Sequence, residues 1–187
     1  MSIKRFFIAG FIGIVLLTII LLFSPLKFYV QKYTNRLLSL NPTPVIERVD
    51  QKLIEYSWKL NKLDGTTADL EDFKGEVILI NFWATWCGPC IKELPSLQQL
   101  HSSYNEKVVF LFVAKDKEKN VQNFINKRDY DLPIYFESGL TPKLFYHPTI
   151  PSTFIIGKDG VIEMAKTGAY NWNDELVRDL LDNLIAQ

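Results

Sequence analysis

Cysteine, histidine and methionine are scarce in this chain of 187 residues, and each occurs only twice. The two histidines, His101 and His147, are not closely spaced, and there is no second cysteine pair. Because a zinc or copper site needs about four ligands at short spacings, this supply disfavours a metal site and we expect none. A non-catalytic metal-delivery or binding module that uses the two cysteines as ligands stays open as an alternative.

The chain also lacks net charge, since 21 basic residues balance 21 acidic ones. Without Lys4 and Arg5, which precede the first apolar run, 21 − 2 = 19 basic residues face 21 acidic ones. Nucleic-acid-binding domains carry a basic excess, so we expect no nucleic acid partner. The hydrophobic share of 48% suffices for the core of one ordinary domain.

Both cysteines stand in one motif that follows an apolar run. Residues 77–82 read Val-Ile-Leu-Ile-Asn-Phe and predict a strand covered on both faces. Cys87 then stands at the start of a helix, where free N–H groups and the helix dipole stabilise a thiolate. We therefore expect Cys87 to be the nucleophile and Cys90, one turn later, the resolving cysteine. Pro89 suits the first helical turn.

Two other interpretations of the cysteine pair are weaker. A structural disulfide between Cys87 and Cys90 would close a very small loop and constrain the unfolded chain little. A peroxide-reducing cysteine would need a threonine further ahead of Cys87 than Thr85 lies, so antioxidant activity is not expected. Reversible thiol-disulfide exchange remains the favoured chemistry.

The segment 81–90, followed by Glu93 and Pro95, resembles the redox motif of the thioredoxin superfamily. It is most similar to the membrane-anchored branch that includes TlpA, ResA and CcmG-type proteins, and the similarity covers roughly 54–187. The resemblance implies an α/β fold, a thioredoxin-like three-layer sandwich with a central mixed sheet and an added N-terminal β-hairpin. It also implies that the redox-active disulfide Cys87–Cys90 is the only redox group, with no further cofactor.

The resemblance extends to the residues that would contact a substrate. Ile150-Pro151 matches the dipeptide whose bond is cis in thioredoxin-like folds and which lies against the disulfide. The backbone groups of Ile150 would then be free to pair with an extended substrate chain. Trp86, Gly88 and Pro89 complete the expected substrate-binding set.

One departure from the family pattern concerns the proton acceptor. Typical thioredoxins carry a buried aspartate where this chain has Asn81. ResA-like proteins place a carboxylate where this chain has Glu93, one turn past Cys90. We therefore expect Glu93 to be the catalytic acid/base, a role that needs a raised pKa. The alternative is a surface glutamate beside Lys92.

The first part of the chain predicts a membrane anchor. The apolar run 6–23 would span about 27 Å as a helix, close to the hydrocarbon thickness of a bilayer. A cleaved signal peptide is the alternative, but the run is long for one and 24–27 offers no small-x-small cleavage site. We expect a transmembrane anchor at 1–25, a linker at 26–52 and the thioredoxin-like domain at 53–187.

Periodicity and turn signals predict the remaining elements of the domain. The predicted strands lie at 55–60, with a hairpin turn at Asp64-Gly65, at 107–114, parallel to 77–82, and at 132–136, an edge strand; a hairpin runs from 149 to 165. A helix follows Cys90, with Leu94, Leu97, Leu100 and Tyr104 in the core and a kink at Pro95. A second helix ends near Asp131, a short helix or turn lies at 141–146, and a terminal helix is capped by Asn173 or Asp174, with Leu176, Val177, Leu180, Leu181 and Leu184 on its apolar face.

The resemblance implies a single-pass membrane protein whose domain faces the extracytoplasmic or periplasmic side. The Gly-Pro dipeptide between the cysteines is that of reducing thioredoxins, so we expect a disulfide reductase acting on envelope proteins, for example in cytochrome c maturation. A thiol oxidase or isomerase is the alternative. The expected partners are thiol- or disulfide-bearing envelope proteins and an upstream membrane electron donor, and we expect a monomer.

Overall fold

A computed structural model of the protein describes residues 13, 52, 56–146 and 148–187. Apart from Gly13, these belong to one compact unit, 46–187. The predicted anchor and linker lie outside the described residues, except for Gly13 and Lys52. Within 56–146 and 148–187, no helix combines the length and hydropathy that a bilayer crossing requires.

Over these ranges the chain forms strands, α-helices and short 3-10 helices in a mixed order. The strands are β1 (Lys59–Lys62), β2 (Thr67–Asp69), β3 (Val77–Trp83), β4 (Val108–Ala114), β5 (Ile134–Glu137), β6 (Ser152–Ile156) and β7 (Ile162–Thr167). The α-helices are α1 (Gly88–Tyr104), α2 (Glu118–Arg128) and α3 (Glu175–Ala186), and the 3-10 helices are Leu70–Phe73 and Lys143–Phe145.

The strands form one mixed sheet in the order β2-β1-β5-β4-β3-β6-β7. β3, β4 and β5 run parallel, whereas the outer pairs on both sides are antiparallel. The mixed sheet, the parallel neighbours β3 and β4 and the hairpin β6–β7 are confirmed. Every residue of β3 is buried, because this strand has a neighbour on each side and both of its faces are covered.

The predicted N-terminal hairpin is confirmed, with its turn at Asp64-Gly65. Gly65 has a φ of 87°, a conformation that glycine adopts at little cost. Asp64 Oδ1 accepts a hydrogen bond of 2.8 Å from the backbone N–H of Thr66. The first strand begins at Lys59, and residues 56–58, which were predicted to belong to it, precede it; the N–H of Trp58 donates to the Asp69 side chain at 3.1 Å. Residue 55 lies outside the described residues.

The prediction that 132–136 forms an edge strand is wrong. β5 lies between β4 and β1, and Leu60, Asn61 and Lys62 of β1 face Glu137, Phe136 and Tyr135 across an antiparallel ladder. Residues 132 and 133 precede the strand. The hairpin thus covers the edge that β5 would otherwise expose, a long-range pairing that local sequence patterns do not reveal.

Two apolar clusters lie on opposite faces of the sheet, as alternate residues of β3 show. One cluster takes Val77, Leu79 and Trp83 from β3 and contains the buried apolar residues of all three α-helices. The other takes Ile78, Ile80 and Phe82 and contains Trp58, Leu70 and Phe145 instead. In the described part of the chain the second face therefore carries 3-10 helices and coil but no α-helix, which corrects the expected three-layer sandwich. The crossovers β3-α1-β4 and β4-α2-β5 advance in the same direction, so right-handed connections put both helices on one face.

Helices α2 and α3 each differ from prediction at one point. Helix α2 ends at Arg128, before the predicted Asp131, because Asp129 adopts the left-handed conformation with a φ of 55°. The predicted cap of α3 is confirmed at Asp174, whose side chain accepts a hydrogen bond of 3.0 Å from the N–H of Val177. Leu176, predicted on the apolar face of α3, is 40% exposed, and so that assignment is wrong.

Helix α1 continues through Pro95. The predicted core positions of this helix are all buried, namely Leu94, Leu97, Leu100 and Tyr104. Pro95 has no N–H to donate, and next to it the Ser96 hydroxyl donates to the carbonyl of Glu93 at 2.7 Å. The kink at Pro95 stays a prediction.

Candidate active site

The loop after β3 places Cys87 at the N-cap of α1, as the sequence predicted. Cys87 and Cys90 are joined by a disulfide and are 5% and 0% exposed. The backbone N–H of Cys90 points at the sulfur of Cys87, with an N to Sγ distance of 3.2 Å. The same donor would stabilise a Cys87 thiolate after reduction, since hydrogen bonds to an anion favour its charged form.

The predicted substrate-binding residues surround this disulfide. Trp86 is 69% exposed, and Gly88 and Pro89 are exposed at the start of the helix. The carbonyl oxygen of Ile150 lies 3.7 Å from Cys87 Sγ, and the Ile150-Pro151 bond is cis as expected. The arrangement leaves an accessible surface on one side of Cys87, and the role of these residues in substrate binding stays a prediction.

Glu93 is buried behind the cysteines on α1, with 2% of its surface exposed. Its Oε1 accepts a hydrogen bond from Asn81 Nδ2 at 2.9 Å. Its Oε2 accepts from Trp172 Nε1 at 3.0 Å and from the backbone N–H of Tyr170 at 3.2 Å. The alternative interpretation, a surface glutamate beside Lys92, is therefore wrong.

Three parts of the fold converge on this carboxyl group. Asn81 projects from β3, where it faces Thr153 of β6 across the antiparallel ladder and donates to its hydroxyl at 2.8 Å. Tyr170 and Trp172 come from the loop between β7 and α3. That loop is also bound to α1 directly, because the N–H of Trp172 donates to Ser96 Oγ at 3.1 Å.

Comparison with known proteins agrees with this geometry. The model of the AhpC/TSA family matches residues 49–165. The chain belongs to this family. It is 36% identical over 103 residues to the thiol-disulfide oxidoreductase ResA of Bacillus thuringiensis subsp. konkukian, a match that covers 54% of this chain and 60% of ResA. It is 33% identical over 115 residues to the thioredoxin-like protein YneN of Bacillus subtilis, covering 59% of this chain and 68% of YneN.

Among solved structures, this AhpC/TSA family member is similar to the exposed lipoprotein thioredoxin Etrx1 of Streptococcus pneumoniae strain TIGR4. The TM-score is 0.58 at 26% identity, and the match covers 68% of this chain and 98% of Etrx1. The chain thus has a thioredoxin-like α/β fold with a mixed sheet. It spans 60% of the length of the curated ResA protein that it matches.

Burial raises the pKa of Glu93 to about 7, against the opposing effect of the hydrogen bonds from Trp172, Asn81 and Tyr170. Removing a carboxylate from water penalises its charged form, whereas donors aimed at it favour that form. Here the loss of hydration outweighs three donors. The carboxyl group of Glu93 can therefore take up or release a proton near neutral pH.

Sequence reasoning missed the partners of Glu93 in the loop before α3 and the bond from Asn81 to Thr153 of β6. It also missed a second contact near Cys87. Thr85, two residues before Cys87, donates its hydroxyl to the Asp116 carboxylate. Asp116 also accepts from the N–H of Lys117 at 2.6 Å and from Asn120 Nδ2 at 3.0 Å. The loop that carries Cys87 is thereby tied to the start of α2. A polar residue just before the cysteine motif was the only sequence signal.

The described residues contain no group of three or more His, Cys, Asp or Glu side chains that could hold a metal ion. His101 is half-buried, and its ring packs edge-on against Phe110 at a centroid distance of 5.1 Å. His147, the other histidine, lies outside the described residues.

The raised pKa of Glu93 predicts a specific pH dependence of stability. The pKa of Glu93 in the folded protein is about 7, whereas the ordinary pKa of a glutamate, as in the unfolded chain, is 4.5. The associated stability is fully present below pH 4.5 and is lost as the pH rises to about 7. Relative to Glu93→Gln, the free energy of unfolding of the oxidised wild-type protein should fall by about 3 kcal/mol across this window. Urea unfolding at a series of pH values measures it.

Glu106→Gln is the matched control, because Glu106 is exposed and lies just beyond the same helix. This variant should keep the pH dependence of the wild type. Parallel stability curves for the wild type and Glu93→Gln would contradict the assignment of a buried, protonated Glu93.

Proposed function

We propose that this protein is an extracytoplasmic, membrane-tethered thiol-disulfide oxidoreductase that reduces disulfides in envelope proteins. The observation that carries the proposal is the Cys87–Cys90 disulfide at the N-terminus of α1, with exposed Trp86 and the Ile150 carbonyl beside the attacking sulfur. The likeness to ResA, named a thiol-disulfide oxidoreductase, supports it. The proposed substrates are envelope proteins such as apocytochrome c.

The reaction begins from the reduced protein, in which the Cys87 thiolate attacks one sulfur of the substrate disulfide. A mixed disulfide forms and the other substrate sulfur leaves as a thiolate. Cys90 then loses its proton and attacks Cys87, so that the Cys87–Cys90 disulfide forms and the second substrate sulfur is released. The substrate gains two electrons and the protein loses two. An upstream membrane electron donor, itself a dithiol, returns the protein to its reduced form.

Glu93 is the proposed acceptor of the Cys90 proton. It lies one helical turn beyond Cys90, and both side chains are buried. Asn81, at the position where typical thioredoxins carry an aspartate, cannot ionise. A carboxyl with a pKa of about 7 is half ionised at neutral pH and can therefore act in either direction of exchange.

Trapping of mixed disulfides tests the assignment of the two cysteines. Cys90→Ser should accumulate a covalent complex with disulfide-bearing proteins. Cys87, the cysteine nearer the surface, still attacks the substrate disulfide, but no second cysteine is present to resolve the mixed disulfide. Cys87→Ser should trap none, since Cys90 is fully buried. Non-reducing electrophoresis followed by mass spectrometry of the linked peptides reads the result. Equal trapping by both variants would reject these roles.

The direction of exchange is tested by the reduction potential of the Cys87–Cys90 couple. A reductase should lie near the value of thioredoxin, about −270 mV, whereas a strong oxidase such as DsbA lies near about −120 mV. We expect the thioredoxin end of this range, because the Gly-Pro dipeptide is that of reducing thioredoxins. Equilibration with glutathione buffers, followed by alkylation, measures the potential. A value near the DsbA end would reverse the assignment to an oxidase or isomerase.

The proposed location depends on residues 6–23, whose apolar run is long enough for a bilayer span. That Etrx1 is an exposed lipoprotein supports an extracytoplasmic domain. The protein expressed from its full sequence should sediment with membranes as a monomer and keep its N-terminal residues after export. A soluble mature form that begins near Ser24 would show instead that the apolar run is a cleaved signal.

A further inference from the structure

The hydrogen bonds around Glu93 suit only one of its two protonation states. Asn81 Nδ2, Trp172 Nε1 and the N–H of Tyr170 all donate to the carboxyl group. Three donors match a carboxylate, which only accepts. A protonated carboxyl has an O–H that needs an acceptor, and none of the three atoms can accept.

Two of these donors cannot change. An indole N–H and a backbone N–H carry no acceptor atom, so Trp172 and Tyr170 donate in every state. Asn81 differs, because its amide also carries a carbonyl oxygen. That oxygen, Asn81 Oδ1, is buried and has no hydrogen-bond partner, although Asn81 is 0% exposed. This oxygen is the acceptor that Asn81 can offer to a protonated Glu93, and turning it there moves Nδ2 away from Glu93 and Thr153 into the place where Oδ1 now has no partner.

We propose that the Asn81 amide turns by about 180° when Glu93 takes up a proton. Before the turn, Asn81 Nδ2 donates a hydrogen bond to the carboxylate; after it, Asn81 Oδ1 accepts a hydrogen bond from the O–H of the acid. The inference rests on the proposed function and deepens it, since it makes Asn81 the positioning residue for the proton of the exchange reaction. With Asn81 Nδ2 toward Glu93 the site holds a carboxylate. With Oδ1 toward Glu93 it holds the acid.

Thr153 is compatible with both orientations. Its hydroxyl now accepts from Asn81 Nδ2 at 2.8 Å, and a hydroxyl can donate as well as accept. After the turn, the same hydroxyl donates to Oδ1. The ladder between β3 and β6 pairs Asn81 with Thr153 and fixes this contact in register. The backbone need not move, because the change is a rotation about one side-chain bond.

Among the described groups that lie around Glu93, none of the others is expected to titrate near neutral pH in the oxidised protein. On the sheet side its neighbours are Asn81 and Thr153, which do not ionise. On α1, Lys92 is exposed and the cysteines are in a disulfide. In the loop before α3, burial is the main cause that raises the pKa of Tyr170 to about 12. The hydroxyl of Tyr170 donates a hydrogen bond to Asp174.

Nuclear magnetic resonance of the full-length oxidised protein in detergent micelles tests the proposal. The 13Cδ shift of Glu93 reports its protonation, and nuclear Overhauser effects from the Asn81 Nδ2 protons report the orientation of the amide. The nuclear Overhauser effects from the Asn81 Nδ2 protons to the side-chain protons of Glu93 and Thr153 should be strong at high pH. They should be lost at low pH, with the same midpoint as the Glu93 shift.

The proposal is overturned if Glu93 titrates while the Asn81 contacts stay unchanged, since the acid would then find its acceptor elsewhere. It is also overturned if Glu93 shows no titration near neutral pH. Both outcomes are independent of catalysis, because the protein is oxidised throughout. Failure of the proposed function would appear separately, as absence of mixed disulfides with Cys90→Ser.

Two variants sharpen the experiment. Glu93→Gln imitates the protonated acid, because its NH2 donates toward Asn81 while its oxygen accepts from Trp172. It should hold the Asn81 amide in the turned orientation at every pH. Asn81→Leu removes the bond that Asn81 makes to each protonation state of Glu93, and it should raise the midpoint of the Glu93 titration because the bond donated to the charged carboxylate is the stronger of the two. Asn61→Leu, at an exposed position of β1, is the control and should leave that midpoint unchanged. An unchanged midpoint in Asn81→Leu would contradict the role of Asn81.

Discussion

The buried carboxyl group of Glu93 is the interaction on which the rest of the site depends. Through it, helix α1 is joined to the central strand by Asn81 and to the loop before α3 by Trp172 and Tyr170. These segments are far apart in sequence, so the contacts form only when the whole domain has folded. A group that is costly to bury is tolerated here because every donor around it is supplied by a well-packed element.

Local patterns predicted those parts of the fold that local chemistry determines. The apolar run before Cys87 predicted a fully buried strand, and the Asp64-Gly65 turn predicted a hairpin; both are confirmed. The pairing of β1 with β5 was not predictable in this way, since it joins segments more than seventy residues apart. Neighbouring residues determine a strand or a turn, but only the folded chain determines which strand lies at an edge.

The candidate site shows the same division. The cysteine motif and the family resemblance pointed to Glu93, but nothing in the sequence indicated that Trp172 donates to it or that Thr153 bonds to its partner Asn81. An aromatic residue in a loop and a threonine in a strand have many uses, and their meeting in one hydrogen-bonded group with Asn81 and Glu93 follows from tertiary packing alone. Leu176 illustrates the converse, since an apolar residue at a helical spacing lies at the surface.

The hairpin at the start of the domain has a consequence for how the protein can meet extended chains. An uncovered β5 would present a row of free backbone donors and acceptors from a strand whose Ile134 and Tyr135 are largely buried. Such an edge recruits foreign strands indiscriminately. With β1 paired to β5, that side of the sheet ends in β2, a strand of three residues that turns at once into a 3-10 helix. Unfolded polypeptides therefore find little to bind on this flank, which lies apart from the proposed contact with substrate at the backbone of Ile150 beside the sulfur atoms.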